Sequence, residues 1–207
     1  MSYSRRYIKQ PRFGKFEEWA EREFEAVERT FESEVTGLRW DDLRFPSQGI
    51  NPAGPANPAT PDNADGTLVF AGNADNVIAG IAQMPHRWQD GTEIRPHIHL
   101  QFKTAASGVN TRWKFDYDIA NVNGNFGVTV GSNTITVANP NNNVKHVIAS
   151  WATIPMTGFK DSCIIKWKIT RLAQSDAADN DTNACNLLEF DIHYQAGSHG
   201  SVSEIPG

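Results

Sequence analysis

Hydrophobic and polar residues alternate along much of the chain after residue 66, with the two-residue period of β-strands. In residues 163–169 the apolar side chains Cys163, Ile165, Trp167 and Ile169 share one predicted face. Residues 113–119 and 188–195 alternate aromatic or aliphatic side chains with charged or polar ones in the same way. Further strands are predicted at residues 67–70, 77–84, 98–103, 128–130, 134–137 and 144–154, with residues 131–133 as a hairpin turn.

These eight or nine short strands are separated by turn residues, and no helical pattern occurs among them. The pattern predicts a mainly β fold, an antiparallel jelly-roll-like sandwich over residues 67–207.

A different period occurs before this region. Residues 15–34 lack glycine and proline, are rich in Glu, Ala and Arg, and have apolar side chains at helical spacing. The spacing predicts an amphipathic helix with one apolar stripe, made by Phe16, Trp19, Ala20, Phe24, Val27 and Phe31. The stripe packs either on its own domain or on another chain, and its large aromatics favour an attachment or oligomer interface.

Composition changes abruptly between the helix and the strands. Residues 47–66 contain four prolines and three glycines, and Ile50 is their one large apolar side chain. The four prolines recur every three residues, which is typical of an extended arm that cannot fold alone. The predicted organisation is therefore an attachment segment over residues 1–46, a linker over 47–66 and a β-sandwich domain over 67–207.

Charge and hydrophobicity exclude some classes of protein. The 207 residues carry a formal net charge of −5, which gives no overall electrostatic case for nucleic acid. No apolar run approaches the about 18 residues of a membrane helix. The N-terminus has no secretory signal pattern, so we expect the protein in a cytoplasm or in an assembly built there.

The residues with the clearest chemical potential are His97 and His99. They are two positions apart on a predicted strand, so both side chains project from one face, while Ile98 and Leu100 point the other way. The pair either binds a metal, within one chain or between subunits around a symmetry axis, or hydrogen-bonds on a polar sheet face. The second alternative is the simpler one, so no cofactor is predicted and a structural metal is the minority possibility.

A metalloenzyme of the cupin type is a further alternative. Gly91 and the His97–His99 pair are similar to the first half of a cupin metal motif, which implies metal ligation by both histidines. The motif next requires a glutamate, but Phe102, Lys103 and Thr104 occupy those positions. The second cupin motif is not visible either, so we predict that the chain is not an enzyme.

Other chemistries have little sequence support. There is no Gly-x-Ser-x-Gly motif, and neither Cys163 nor Cys185 has a histidine partner in sequence. Each cysteine is most simply a buried thiol, although a disulfide between them remains an alternative. Trp88 lies in the loop before the histidine pair and is the best candidate for an exposed aromatic residue that binds a sugar.

Three segments resemble structural proteins of tailed bacteriophages. They are Met84–Thr92 running into Pro96–His99, Phe190–Tyr194 with the following Gly200-Ser201, and Trp40–Pro46. The resemblance covers roughly residues 40–204 and implies a location in the virion, assembled in the host cytoplasm, better than it implies a mechanism.

The predicted function is therefore a non-enzymatic virion subunit of the spike, fibre or head-decoration type. Its predicted partners are copies of itself, as a homotrimer, and other virion proteins of the capsid, tail or portal vertex. The alternative is a module that binds a host-surface glycan or receptor; neither nucleic acid nor membrane is a predicted partner.

Overall fold

The computed structural model describes residues 22–25, 39–52 and 57–197, and the chain forms two compact units, Met1–Gly37 and Leu38–Gly207. In the first unit, residues 22–25 are helical, as the sequence pattern predicts. Phe24 of the predicted stripe is 71% exposed there. Phe16, Trp19, Val27 and Phe31 lie outside the described residues. In the described part of the chain, no helix has the length and hydrophobicity needed to span a membrane.

The second unit contains ten strands and one short 3-10 helix, Ser47–Gly49, among its described residues. The strands are β1 (Arg39–Pro46), β2 (Thr60–Pro61), β3 (Leu68–Phe70), β4 (Val77–Gln83), β5 (Ile94–Phe102), β6 (Asn110–Ala120), β7 (Thr129–Ala138), β8 (His146–Ser150), β9 (Ile164–Arg171) and β10 (Cys185–Ala196).

The strands form two antiparallel sheets. The first has the order β2-β3-β10-β5-β8, with β1 also paired to β10, and the second has the order β4-β9-β6-β7. Among the eight strands from β3 to β10, the first pairs with the eighth, the second with the seventh, the third with the sixth and the fourth with the fifth. This nested pairing is that of a long hairpin wrapped into two sheets, so the predicted jelly roll is confirmed.

The core lies between the two sheets and is rich in aromatic rings. Phe190 of β10 lies 5.5 Å from Phe115 of β6 and 4.8 Å from Trp167 of β9, measured between ring centroids. Phe45 of β1 stacks on Phe190 at 5.5 Å. Cys163, Ile165, Trp167 and Ile169 are all buried, which confirms the face predicted from the alternation of residues 163–169.

The predicted hairpin turn at residues 131–133 is wrong. These residues lie inside β7, where Gly131 pairs with Tyr117 and Asn133 pairs with Phe115. A Cβ at Gly131 would lie 2.2 Å from Cζ of Tyr117. The glycine therefore makes room for an aromatic ring on the sheet surface, which is another common reason for a glycine within a strand.

The boundary of the β domain also differs from the sequence-based one. The predicted attachment segment included residues 39–46. These residues form β1, and all eight of them pair with β10. In the Pro-rich segment, Ile50 and Ala59 are buried, and Thr60–Pro61 pairs with β3. The described parts of the predicted linker therefore belong to the folded unit.

The two cysteines are free and buried, so the alternative of a disulfide is wrong. Burial raises the pKa of both thiols to about 12. Thiols of this kind are inert toward oxidants and metals, and their contribution here is to fill the core.

Candidate functional site

The outer face of the first sheet gathers the polar residues of four strands. On β5, Ile94, Ile98 and Leu100 point into the core and are fully buried. Arg95, His97 and His99 alternate with them along the strand and therefore project from the opposite face. The strand neighbours of β5 place their own polar side chains beside this pair.

The pairing register decides which side chains meet. Asp191 of β10 lies directly opposite His97, and His193 of β10 lies opposite Arg95. On the other side of β5, Ser150 of β8 lies opposite His97. Residues directly opposite in an antiparallel pair are near neighbours, so the sheet brings two histidines of β5 against an aspartate of β10.

His97, His99 and Asp191 form a compact cluster. The Nε2 atoms of the two histidines are 3.0 Å apart, and they lie 3.2 and 3.0 Å from Oδ2 of Asp191. The three side chains are 6%, 16% and 6% exposed. Oδ1 of Asp191 is buried and has no hydrogen-bond partner among the described residues. The cluster could hold a metal ion, because all three residues offer ligand atoms close to one another.

His146 of β8 extends the cluster. Its Nε2 lies 2.7 Å from Nδ1 of His99, and the two rings stack at 18°. Both ring nitrogens of His99 therefore have partners, one toward Asp191 and one toward His146. A proton on Nδ1 of His99 would be donated to His146 and would leave a lone pair on Nε2.

Charge in the cluster is set by burial and by neighbouring groups. Burial lowers the pKa of His99 and His193, and the nearby histidines lower it further. Burial alone would raise the pKa of Asp191, but the hydrogen bond from His97 and the charges of both histidines more than offset it, so this pKa is lowered. A charged carboxylate thus lies beside His99, whose pKa shift favours the neutral ring.

A groove of about 510 Å³ opens over the cluster. Its polar lining includes Asp42 of β1, Arg95 and His193, and its apolar lining includes Ile148 and Trp151. Nε2 of His193 lies 3.0 Å from Oδ1 of Asp42, which fixes both side chains. The guanidinium of Arg95 also lies over the ring of Trp40, 4.2 Å from its centroid. Trp40 is 44% exposed and is next to the groove through this contact with Arg95.

The expected exposed tryptophan, Trp88, is not part of this site. It is 4% exposed and belongs to the core, and its indole N–H donates to Oγ1 of Thr92 over 2.9 Å. A turn position beside polar residues suggested exposure, but the loop folds back against the sandwich and covers the ring. The exposed tryptophan near the histidines is Trp40, which the sequence analysis assigned to the attachment segment.

The loop with the phage-like motif is held by residues 160–163. Its His86 lies 3.1 Å from Oγ of Ser162 and 3.7 Å from Asp161, an arrangement that resembles a Ser-His-Asp triad. The second distance is too long for a hydrogen bond, and Ser162 is 9% exposed. The N–H of Ser162 donates to the carbonyl of Met84, so it does not offer an oxyanion hole. These contacts indicate a structural role for the loop.

Two of the three clustered residues, His97 and His99, are predictable from the sequence. His97 and His99 lie together on one face, as predicted, and the acidic residue beside them is Asp191 from another strand rather than a glutamate that follows the pair. Lys103, at the position of the expected glutamate, pairs instead with Asp62. The alternation of residues 188–195 had placed Asp191 on a polar face, but only the strand register joins that face to the histidines.

Comparison with known proteins gives limited information. No protein-family model and no curated protein matches the chain. Among solved structures, an isomalto-dextranase of Arthrobacter globiformis T6 is 16% identical, with a TM-score of 0.39, over 73% of this chain and 23% of that one.

Two other solved structures are similar at this level. A family 35 carbohydrate binding module from an environmental isolate is 10% identical, with a TM-score of 0.44, over 76% of this chain and 99% of that one. The enzymatically active domain of tailspike protein 4 of bacteriophage CBA120 is 8% identical, with a TM-score of 0.37, over 75% of this chain and 19% of that one. At these identities and TM-scores, none of the matches carries an argument about function.

Proposed function

We propose that the β-sandwich is a non-catalytic module that binds a host-surface glycan in the groove over β1, β5, β8 and β10, as part of a phage virion. The observation that supports the proposal is the groove itself. Its volume of about 510 Å³ is within the range of small-molecule sites, which is about 300–1,000 Å³. Its polar groups are fixed on strands rather than on loops, which reduces the entropy lost on binding.

The chemistry of the lining suits a polyhydroxylated ligand. Asp42 accepts hydrogen bonds from hydroxyl groups, and the guanidinium of Arg95 donates them. Trp40 supplies a partly exposed apolar ring beside Arg95, against which a sugar ring can pack. Sugars need both kinds of contact, because each ring has polar edges and apolar faces.

Replacing Trp40 with alanine tests the proposal. We expect the wild-type chain to bind a subset of glycans on an array, and Trp40→Ala to weaken that binding at least tenfold, about 1.4 kcal/mol. Phe126→Ala is the matched control, because Phe126 is also a partly exposed aromatic with a cation on its face, Nζ of Lys166 at 3.5 Å. That variant should bind as the wild type does. No binding at millimolar sugar, or equal losses in both variants, would contradict the proposal.

The virion setting rests on the phage-like motifs and on the separate N-terminal unit, Met1–Gly37. We propose that this unit attaches the sandwich to other virion proteins. Deletion of residues 1–37 should therefore abolish incorporation into particles and leave glycan binding unchanged, since Leu38–Gly207 forms its own compact unit. Quantitative immunoblotting of purified particles measures incorporation; particles that contain the shortened chain at the normal level would refute the attachment role. The homotrimer stays a prediction.

A further inference from the structure

We infer that His97, His99 and Asp191 bind one divalent transition-metal ion of the zinc type at the floor of the groove. The site is contained in one chain, whereas the sequence alone left open an ion shared between subunits. The inference is independent of the glycan proposal, because it rests on the cluster and not on the groove above it.

The spacing of the donor atoms suits a single ion. His97 Nε2, His99 Nε2 and Asp191 Oδ2 form a triangle with sides of 3.0, 3.0 and 3.2 Å. Zinc binds imidazole nitrogen and carboxylate oxygen at about 2.0–2.2 Å, so two ligands of one tetrahedral ion lie about 3.3–3.6 Å apart, a few tenths of an ångström more than the sides of this triangle. A single ion roughly 1 Å above the plane of the triangle therefore contacts all three atoms without movement of the backbone.

Protons and charge in the cluster also favour a cation. With the proton of His99 on Nδ1, the lone pair on its Nε2 faces Oδ2 of Asp191 at 3.0 Å with no hydrogen between the two atoms. The carboxylate of Asp191 is 6% exposed, and its other oxygen has no hydrogen-bond partner among the described residues. A buried anion of this kind is costly unless a positive charge offsets it. A bound cation supplies that charge and accepts the lone pair of His99.

The orientation of His99 is that of a metal ligand. A histidine that ligates a metal through one nitrogen nearly always donates a hydrogen bond from the other, which fixes its tautomer. His146 provides the acceptor, with its Nε2 2.7 Å from Nδ1 of His99. The stacked geometry of the two rings holds this contact in place. His146 therefore acts as a positioning residue rather than as a ligand.

The donor set indicates the class of metal. Two imidazoles and one carboxylate suit zinc and the neighbouring first-row ions, whereas calcium and magnesium prefer oxygen ligands. Three protein ligands leave at least one coordination position of the ion free. The groove is lined by all three ligands, so this free position faces the groove. The ion is thus expected to keep an exchangeable water, as zinc sites with three protein ligands do.

Metal binding to the full chain tests the inference directly. After treatment with EDTA and desalting, the protein is titrated with Zn²⁺ by calorimetry and with Co²⁺ by visible absorption. We expect one ion per chain at micromolar free Zn²⁺, and Co²⁺ spectra of four- to five-coordinate geometry. Asp191→Asn, which keeps the shape of the side chain, should weaken Zn²⁺ binding at least 100-fold, and His146→Ala should weaken it about 10–100-fold.

The control is His193→Gln. His193 lies against His97, with ring centroids 4.1 Å apart, but its Nε2 pairs with Asp42. The variant should keep one Zn²⁺ per chain with an affinity within about threefold of the wild type. Circular dichroism confirms that each variant is folded.

Less than 0.1 ion per chain in wild-type protein at about 100 µM free Zn²⁺ would overturn the inference. So would one ion that Asp191→Asn leaves bound, or one that His193→Gln removes. The readout of this experiment is metal binding alone. A glycan array without hits would therefore contradict the glycan proposal but not the metal site. Glycan binding that is unchanged after EDTA treatment would support the glycan proposal whether or not the metal site exists.

Discussion

Replacement of Arg171 with alanine is expected to lower the free energy of unfolding by about 3–5 kcal/mol. The side chain is fully buried at the end of β9. Its guanidinium forms two hydrogen bonds with Asp179, of 3.0 and 2.9 Å, and donates to the carbonyls of Phe70 and Asn183. Alanine would leave the buried carboxylate of Asp179 without its countercharge and several carbonyls without donors, which is the costly way to break a buried pair.

Urea denaturation followed by tryptophan fluorescence measures the change. Arg112→Ala is the matched control, because Arg112 also pairs with an aspartate, Asp176, but the two side chains are 28% and 32% exposed. An ion pair in contact with solvent is worth about 1 kcal/mol or less. The double variant Arg171→Met/Asp179→Leu should recover much of the loss. A loss below 1 kcal/mol for Arg171→Ala would show that the pair does not hold this end of the sandwich.

Replacement of Trp113 with alanine is expected to lower the free energy of unfolding by about 3–5 kcal/mol as well. Trp113 on β6 is fully buried, and its ring packs edge-on against Phe70 at 4.8 Å. Its indole N–H donates to Oγ1 of Thr111 over 2.8 Å, in an equally buried position. The substitution would both open a large cavity between the sheets and remove the donor to that hydroxyl.

Thermal and urea unfolding of Trp113→Ala and Trp40→Ala give the comparison. Trp40 is 44% exposed, so its removal should cost about 1 kcal/mol or less. The stability measured for Trp40→Ala is also a control for the glycan experiment, because it shows whether a loss of binding arises from a loss of folding. Equal destabilisation by the two variants would mean that the sheets do not depend on Trp113 for their packing.

The alternation of apolar and polar residues was sufficient to predict much of the sandwich. Ile165, Trp167 and Ile169 are buried because a strand with a two-residue period presents one face to the facing sheet. Local sequence patterns fail where a residue is required by a contact with the neighbouring strand. Gly131 suggests a turn in sequence, but it is needed under the ring of Tyr117, and that contact depends on a pairing that local sequence does not encode.

Only part of the candidate site could be predicted, because the rest depends on how distant strands pair. His97 and His99 share a face by their spacing alone, whereas Asp191 is 92 positions later than His99 in the chain. Its place beside them depends on the register of β10 against β5, which includes a shift between Leu187 and Glu189. β1 was missed as a strand because the charges of Asp41, Asp42 and Arg44 interrupt its short apolar pattern.

The nested pairing of the strands has a consequence for the order of folding. β10 pairs with β1, β3 and β5, so its contacts join residues that are distant in the chain. Folds of high contact order form slowly, in about milliseconds to seconds. Ribosomes add about 5–20 residues per second, so Asp191 is synthesised roughly 5–20 s after His97. The sheet that carries the histidines must therefore remain incomplete on the nascent chain, and the cluster can form only after the last strand has docked.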